Sequence, residues 1–448
     1  MERVDRRPRD LEPARGAIPT RAADPIPSGA AGPVWLHALR PAGNRALTGV
    51  IERVAQRQVA PAEPAEGEVA PAEAAPLLDE TQVADARRYY TAQPWLYTPA
   101  IIAQLRGALG LGEEGGVDDA LVHAVAVWQS THGAGDPALA IDGKAGPRTL
   151  PRIFRGGLNV EGEGEAFGGE VQAEVIDQWA TLATAEARRN RLVELVNERL
   201  VAAGVPATTP AFDTNANNAG SFDFPTWRMM IGQTRLGGDS ISEEDAREVA
   251  DTVYHEARHT EQWFRMAQLR AAQGLSAAAI TTELGIPARI AREARANPLV
   301  RGSMEAVIAQ GWWDSVYGSG SAHREAVLTE IDRAATARTR AQARFDGDPT
   351  AANQAALDRA NERFDRAFAA YQNLPEENDA WATGPAAAEG ITGGSPEPEP
   401  EPGAEIEPEL EPAAEGAPAL GGEAGEPAGS PPAAGRPSHE ILPEEGLP

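Results

Sequence analysis

The chain contains no cysteine. That excludes disulfide frameworks, thiolate metal sites and cysteine nucleophiles. Lysine is almost absent: Lys144 stands alone, and arginine carries the rest of the positive charge. Aromatic residues make up 5% of the 448 positions, so the core they can fill is modest. No apolar run approaches the roughly 20 residues that span a bilayer. The opening MERVDRRPRDLEPARG lacks an apolar stretch, so no Sec-type signal is read. Positive charge is in deficit as well. Lys+Arg number 40 against 67 Asp+Glu, a net charge of −27. No basic field exists to hold phosphates, and no nucleic-acid-binding residues are expected.

Glycine and proline are plentiful, 45 and 37, and they divide the chain. Residues 1–79 read as a disordered or targeting segment with one short amphipathic helix at 35–58, where Leu47, Val50, Ile51 and Val54 share a face. A compact unit at 80–157 reads as three short helices around Trp128. LNVEGEGEAFG, 158–168, reads as a flexible link. The largest unit, 169–388, opens with a helix at Arg188–Val201, followed by strand-like material at 205–236. Ser242 then resembles the N-cap of a long helix, with Asp245 at its third position. LSAAAITTELGIPARIAREA has helix-turn-helix spacing and reads as a structural subdomain. Residues 322–372 read as an antiparallel helical hairpin that turns at Asp346-Gly-Asp-Pro349. Residues 389–448, rich in Glu, Pro, Gly and Ala, read as a disordered acidic tail. The expected fold class is mainly α with a small β-sheet (α+β).

The sharpest chemical signal is His255-Glu256-Ala-Arg-His259. On a helix, residues four apart project from one face, so both imidazoles can share a metal. Two His ligands, a third ligand and a water make an open zinc site. Zinc acidifies that water, and Glu256, beside the first ligand, takes its proton and passes it to a leaving amine. The plain alternative is a pair of solvent-facing histidines on an ordinary helix. With no cysteine, the third ligand is a carboxylate or another histidine. Glu377 and Glu376, at the start of a helix opened by Pro375, are candidates, as are Glu305 and His323. In the Glu377 reading, Asp379 steadies the ligand from behind and Ala380 permits close approach. Tyr317 and Tyr371 are candidates for holding an oxyanion.

Tyr254-His-Glu-Ala-Arg-His-Thr-Glu-Gln262, with Leu374-Pro-Glu-Glu-Asn-Asp-Ala-Trp381, resembles zinc metallopeptidase domains of the zincin class. These are similar to domains carried by effectors of bacterial extracellular contractile injection systems. The resemblance implies Zn2+ on His255, His259 and Glu377, Glu256 as base, and a protein or peptide substrate. It also implies injection-system tube or baseplate components as partners and export by a non-Sec route after a cytoplasmic stage. Leu39-Arg-Pro-Ala-Gly-Asn-Arg-Ala-Leu47 looks like a short helix found near the N-terminus of such proteins. Residues 100–154 resemble the three-helix peptidoglycan-binding-like domain. That match rests on Trp128-Gln129, His132-Gly133 and Asp142-Gly-Lys-Ala-Gly-Pro-Arg-Thr149. It implies peptidoglycan as a partner and Asp142, Arg148 and Thr149 as ligand contacts. A rival reading from another class is an adaptor or cargo protein whose metal site is structural or dead.

Overall fold

The computed structural model describes residues 77–134, 137–213 and 219–395. The expected helix at 35–58, the rest of residues 1–76, and residues 396–448 lie outside the described residues.

The first unit comprises α1 (Glu80–Thr91), α2 (Pro99–Ala108), α3 (Asp119–His132) and the short α4 (Leu150–Ile153). Asp79, Thr98 and Asp118 cap the first three, each side chain accepting a backbone N–H from the first turn. Tyr90, Ile101, Leu105, Leu121, Val122 and Val125 fill the centre. Trp128, expected there, is only half-buried and stacks on His132 with ring centroids 5.0 Å apart. It sits at the margin of the buried stripe of α3, one turn from Val125 and two from Leu121, and lies against His132 rather than in the centre. Gln129 ties down the turn that follows. Its Oε1 accepts from the Asp142 and Gly143 N–H groups, and its Nε2 donates to Asp142 Oδ1 and Lys144 O. Gly143 sits at φ 67 with Val122 and Leu78 where a Cβ would point, so only glycine fits.

The expected link at 158–168 is not a link. Residues Gly157–Asn159 form a 3-10 turn, and α5 (Glu163–Val171) buries Phe167 and Val171 before running on as a π turn at Gln172–Ile176. The glycines of this stretch suggested flexibility, but Phe167 and Val171, a helical turn apart, carry enough apolar surface to anchor it. The apolar core therefore runs unbroken from the first unit into the rest of the described chain.

Next come α6 (Ala185–Ala202), β1 (Thr209–Asp213), β2 (Gly220–Asp223), β3 (Arg228–Gly232) and the short α7 (Gln233–Leu236). The sheet order is β1-β3-β2, with β1 parallel and β2 antiparallel to β3. Gly232 N–H donates to Ala219 O, and Ser221 pairs with Met230, so Phe222 falls at an alternate position with its N–H turned away from β3. That free edge lies along the longest apolar-backed helix of the fold, α8 (Glu243–Ala272).

Ser242 caps α8 as expected, accepting the Asp245 N–H at 3.1 Å. Glu243, Glu244 and Asp245 favour its positive end. Then follow α9 (Ala277–Leu284), α10 (Ala288–Ala296), α11 (Met304–Val316), α12 (Ser321–Gly347), α13 (Ala351–Gln372), α14 (Pro375–Thr383) and α15 (Pro385–Glu389). The pair α9–α10 packs on α8. The hairpin α12–α13 has its own small core of Ile331, Ala334, Ala335, Phe364, Ala367 and Phe368. Residues 389–395, expected at the start of the tail, pack on the fold. Ile391 is buried, and Ser395 exchanges hydrogen bonds with Ile241 beside the α8 N-terminus. The fold is mainly α with a small β-sheet, and no helix among the described residues is long and apolar enough to cross a membrane.

Candidate metal centre

Every residue from Val253 to Phe264 of α8 is buried. A helix buried all round is normally apolar. This stretch instead buries His255, Glu256, Arg258, His259, Thr260, Glu261 and Gln262. Groups of that kind are kept inside a protein only when partnered or when they bind something.

Both imidazoles project from one face of α8, with their Nε2 atoms 3.1 Å apart. Helix α14 crosses them and brings Glu377 Oε2 to 3.3 Å from His259 Nε2. Donors held at 2.0–2.1 Å around a tetrahedral ion stand roughly 3.3 Å from one another. Glu377 Oε2 is buried and makes no hydrogen bond. An orphaned carboxylate oxygen facing two imidazole nitrogens is what a divalent cation would satisfy, so these residues fit a metal. Among the described residues, His255, His259 and Glu377 form the one group of three or more metal-ligating side chains drawn together.

The other candidates for a third ligand are placed elsewhere. Glu376 is fully buried but turned to Arg324, its Oε1 accepting from Nε at 2.6 Å. Glu305 and His323 are exposed on α11 and α12. Ala380 has no exposed surface, in keeping with the close approach of α14 to α8.

Gln262 decides the state of His259. Its Nε2 donates twice, to Glu376 O at 2.9 Å and Asp379 Oδ2 at 2.8 Å. An atom serving two acceptors is the amide nitrogen, so the oxygen must face His259 Nδ1, 2.8 Å away. His259 then carries a hydrogen on Nδ1, which fixes the ring with Nε2 facing Glu377 and His255. Asp379 lies behind this relay. It also accepts from Arg258 Nε at 2.8 Å, and Arg258 Nη1 reaches Glu261 at 2.6 Å. Trp381 packs edge-on against His255 at 4.8 Å, and Phe368 backs Trp381 at 5.6 Å.

Electrostatics follow the geometry. Burial alone would pull His259 down, but the Glu377 carboxylate beside it outweighs that and holds the imidazole well above its ordinary range. Burial would raise Glu377, yet His259, His255 and the Tyr371 hydroxyl hold it well below the usual carboxylate range. The proton that His259 shares with Glu377 thus sits where a cation would, and a metal would displace it to enter. Glu256 is buried on the same face, and its Oε2 accepts the outward Phe222 N–H of β2 at 2.8 Å.

Asp142, Arg148 and Thr149 lie away from this centre. Asp142 Oδ1 accepts from Gln129 and the Lys144 N–H, and Thr149 is buried against Gln129. Arg148 Nη1 donates to Asn373 Oδ1 at 2.5 Å. Tyr317 donates to Leu284 O rather than facing the imidazoles. Sequence reasoning missed Gln262, Arg258, Arg324 and the Phe222 N–H. The first two carried a readable signal, being polar residues four apart, on one face of α8, that flank the second histidine. Arg324 and the Phe222 amide carried none, because only tertiary packing brings them in. No protein-family model, curated protein or solved structure matches the chain.

Proposed function

We propose that the chain is a metal-dependent hydrolase of peptide or amide bonds. His255, His259 and Glu377 would hold the ion, and two imidazoles with a carboxylate suit Zn2+. The observation that carries the reading is the convergence of three buried donor atoms within 4.8 Å of one another, on two helices, one donor being an orphaned carboxylate oxygen. When bound, zinc supplies Lewis-acid polarisation of a carbonyl and lowers the pKa of a water.

The chain's own residues do the rest. Glu256 accepts a proton from the attacking water on its carboxylate and returns it to the departing amine. The Phe222 N–H holds that carboxylate in place at 2.8 Å. A peptide is the substrate class that the sequence resemblance implies. Service as an exported or injected effector, with tube or baseplate components as partners, is part of the same proposal and rests on the sequence resemblance alone.

The test is Glu256→Gln in the full chain, assayed for zinc content and for cleavage of a mixed peptide library. Zinc should stay at the wild-type level while cleavage is lost. Cleavage at the wild-type rate by the Gln variant would sink the proposal, and so would a wild-type chain that takes up no zinc.

A further inference from the structure

We propose that the 142–159 segment of the first unit is a fixed clamp on α14, with Arg152 as the residue that positions Glu377. The turn that resembles a wall-ligand turn then serves the metal centre from inside the protein. The consequence for the metal rests on the reading above; the clamp itself does not.

Contacts from this segment bracket Glu377 in sequence. Arg148 Nη1 reaches Asn373 Oδ1 at 2.5 Å, just before α14. Arg152 Nη2 donates to Asn378 Oδ1 at 2.9 Å and to Pro137 O at 2.8 Å, so the same nitrogen joins the unit's loop to the residue after Glu377. Asn159 Nδ2 reaches Asp379 Oδ1 at 3.4 Å. Gly156 O accepts from Arg258 Nη1 at 3.1 Å, the guanidinium that also holds Asp379. Pro147 packs so closely on α11 that a Cβ on Gly311 would meet its ring at 2.6 Å. The three residues that the sequence resemblance marks as ligand contacts, Asp142, Arg148 and Thr149, thus direct their polar atoms to the protein itself.

Fold stability is a poor explanation for Arg152. Burial lowers its pKa despite the Asp379 charge nearby, and its Nε is buried without a partner. A cation close to the positive end of α14 is also disfavoured by the helix dipole. What the arginine gains is reach: a side chain long enough to grip Asn378 from the neighbouring unit. Asn378 follows Glu377 directly, so its side-chain hydrogen bond limits how far the helix can rotate about its axis. Rotation is the motion that would swing Glu377 off the imidazoles.

The experiment uses the full chain as wild type, Arg152→Ala, Arg152→Lys and the milder Arg148→Ala. Three quantities are read: hydrogen exchange of residues 375–383, zinc affinity by chelator competition, and the visible spectrum of the cobalt-substituted protein. Arg152→Ala should speed exchange across 375–383, weaken zinc about tenfold and alter the cobalt bands as Glu377 leaves the ligand set. Arg152→Lys, which keeps the charge and loses about one bond of length, should restore the spectrum only in part. Should Arg152→Ala fail to fold, Arg148→Ala carries the test, with faster exchange at the start of the helix. Wild-type exchange in every variant would overturn the clamp. So would retention of the full chain on purified peptidoglycan sacculi that Arg148→Ala abolishes. A wild-type chain that binds neither zinc nor cobalt would defeat the metal reading, while the exchange data would still decide the clamp.

Discussion

Replacing Gln262 by leucine isolates the orientation of one ligand. The wild-type amide makes three hydrogen bonds, from His259 Nδ1 at 2.8 Å and to Glu376 O and Asp379 Oδ2 at 2.9 and 2.8 Å. Leucine keeps most of the volume and removes all three. Each buried group left without its partner costs about 1–3 kcal/mol, and Arg258 still serves Asp379, so the fold should lose a few kcal/mol in all. Part of that loss is common to the metal-free and metal-bound protein. The part that bears on the metal is the freed imidazole, and loss of such an orienting partner weakens metal binding 10- to 100-fold, about 1.4–2.7 kcal/mol. Gln262→Glu separates the two effects. Its carboxylate still accepts from His259 Nδ1, but it cannot donate to Asp379 and sets a second negative charge beside it. Zinc affinity should therefore rank wild type and Glu above Leu, while denaturant stability should rank wild type above both variants. Chelator competition and urea unfolding on the same samples measure the pair. A folded Leu variant that holds zinc within twofold of wild type would refute the reasoning.

Two further perturbations test the surroundings. Gly157 has φ 59, and a Cβ there would run into the Glu261 carboxylate, which Arg258 and the Leu158 N–H hold in place. Gly157→Ala should cost about 3 kcal/mol or more by disturbing that buried pair, read as a lower urea midpoint; a change under about 0.5 kcal/mol would show that the pair can move freely. Burial, with Glu248 nearby, pushes Asp251 up to about 7 from an ordinary 3.8. A raised carboxyl contributes its stability in full below the unfolded value and loses it as pH rises through the folded one. Asp251→Asn should thus gain on the wild type by on the order of 2–4 kcal/mol between pH 4 and pH 8, in unfolding of the metal-free chain. A stability difference that stays flat across that range would contradict the assignment.

Much of the helical framework was legible because its signals are local. The Ser242 cap, the Asp346–Pro349 turn and Pro375 each announce an element boundary through the backbone chemistry of one or two residues, and the elements begin and end there. Errors arose where composition was read in place of contacts. The glycine-rich 158–168 stretch looked flexible, yet Phe167 and Val171 bury it. Trp128 was expected at the centre, yet it sits at the margin of the buried stripe of α3 and stacks on His132. Residues 389–395 looked like the start of the tail, but Ile391 is buried and backbone groups of 392–395 hydrogen-bond to Gln172 and Ile241.

The HExxH spacing by itself determined that two imidazoles and a carboxylate share one helical turn, since a four-residue interval on an α-helix leaves no other face. Which acid would join them lay beyond it. Glu376 and Glu377 are neighbours in a helix and point about 100° apart, so the rotation of α14 about its axis decides which of them faces the imidazoles. Arg324 on one side, the imidazoles on the other, and the grip of Arg148 and Arg152 set that rotation. Those partners come from segments far apart in the chain, and side-chain identity alone does not reveal which distant groups will meet.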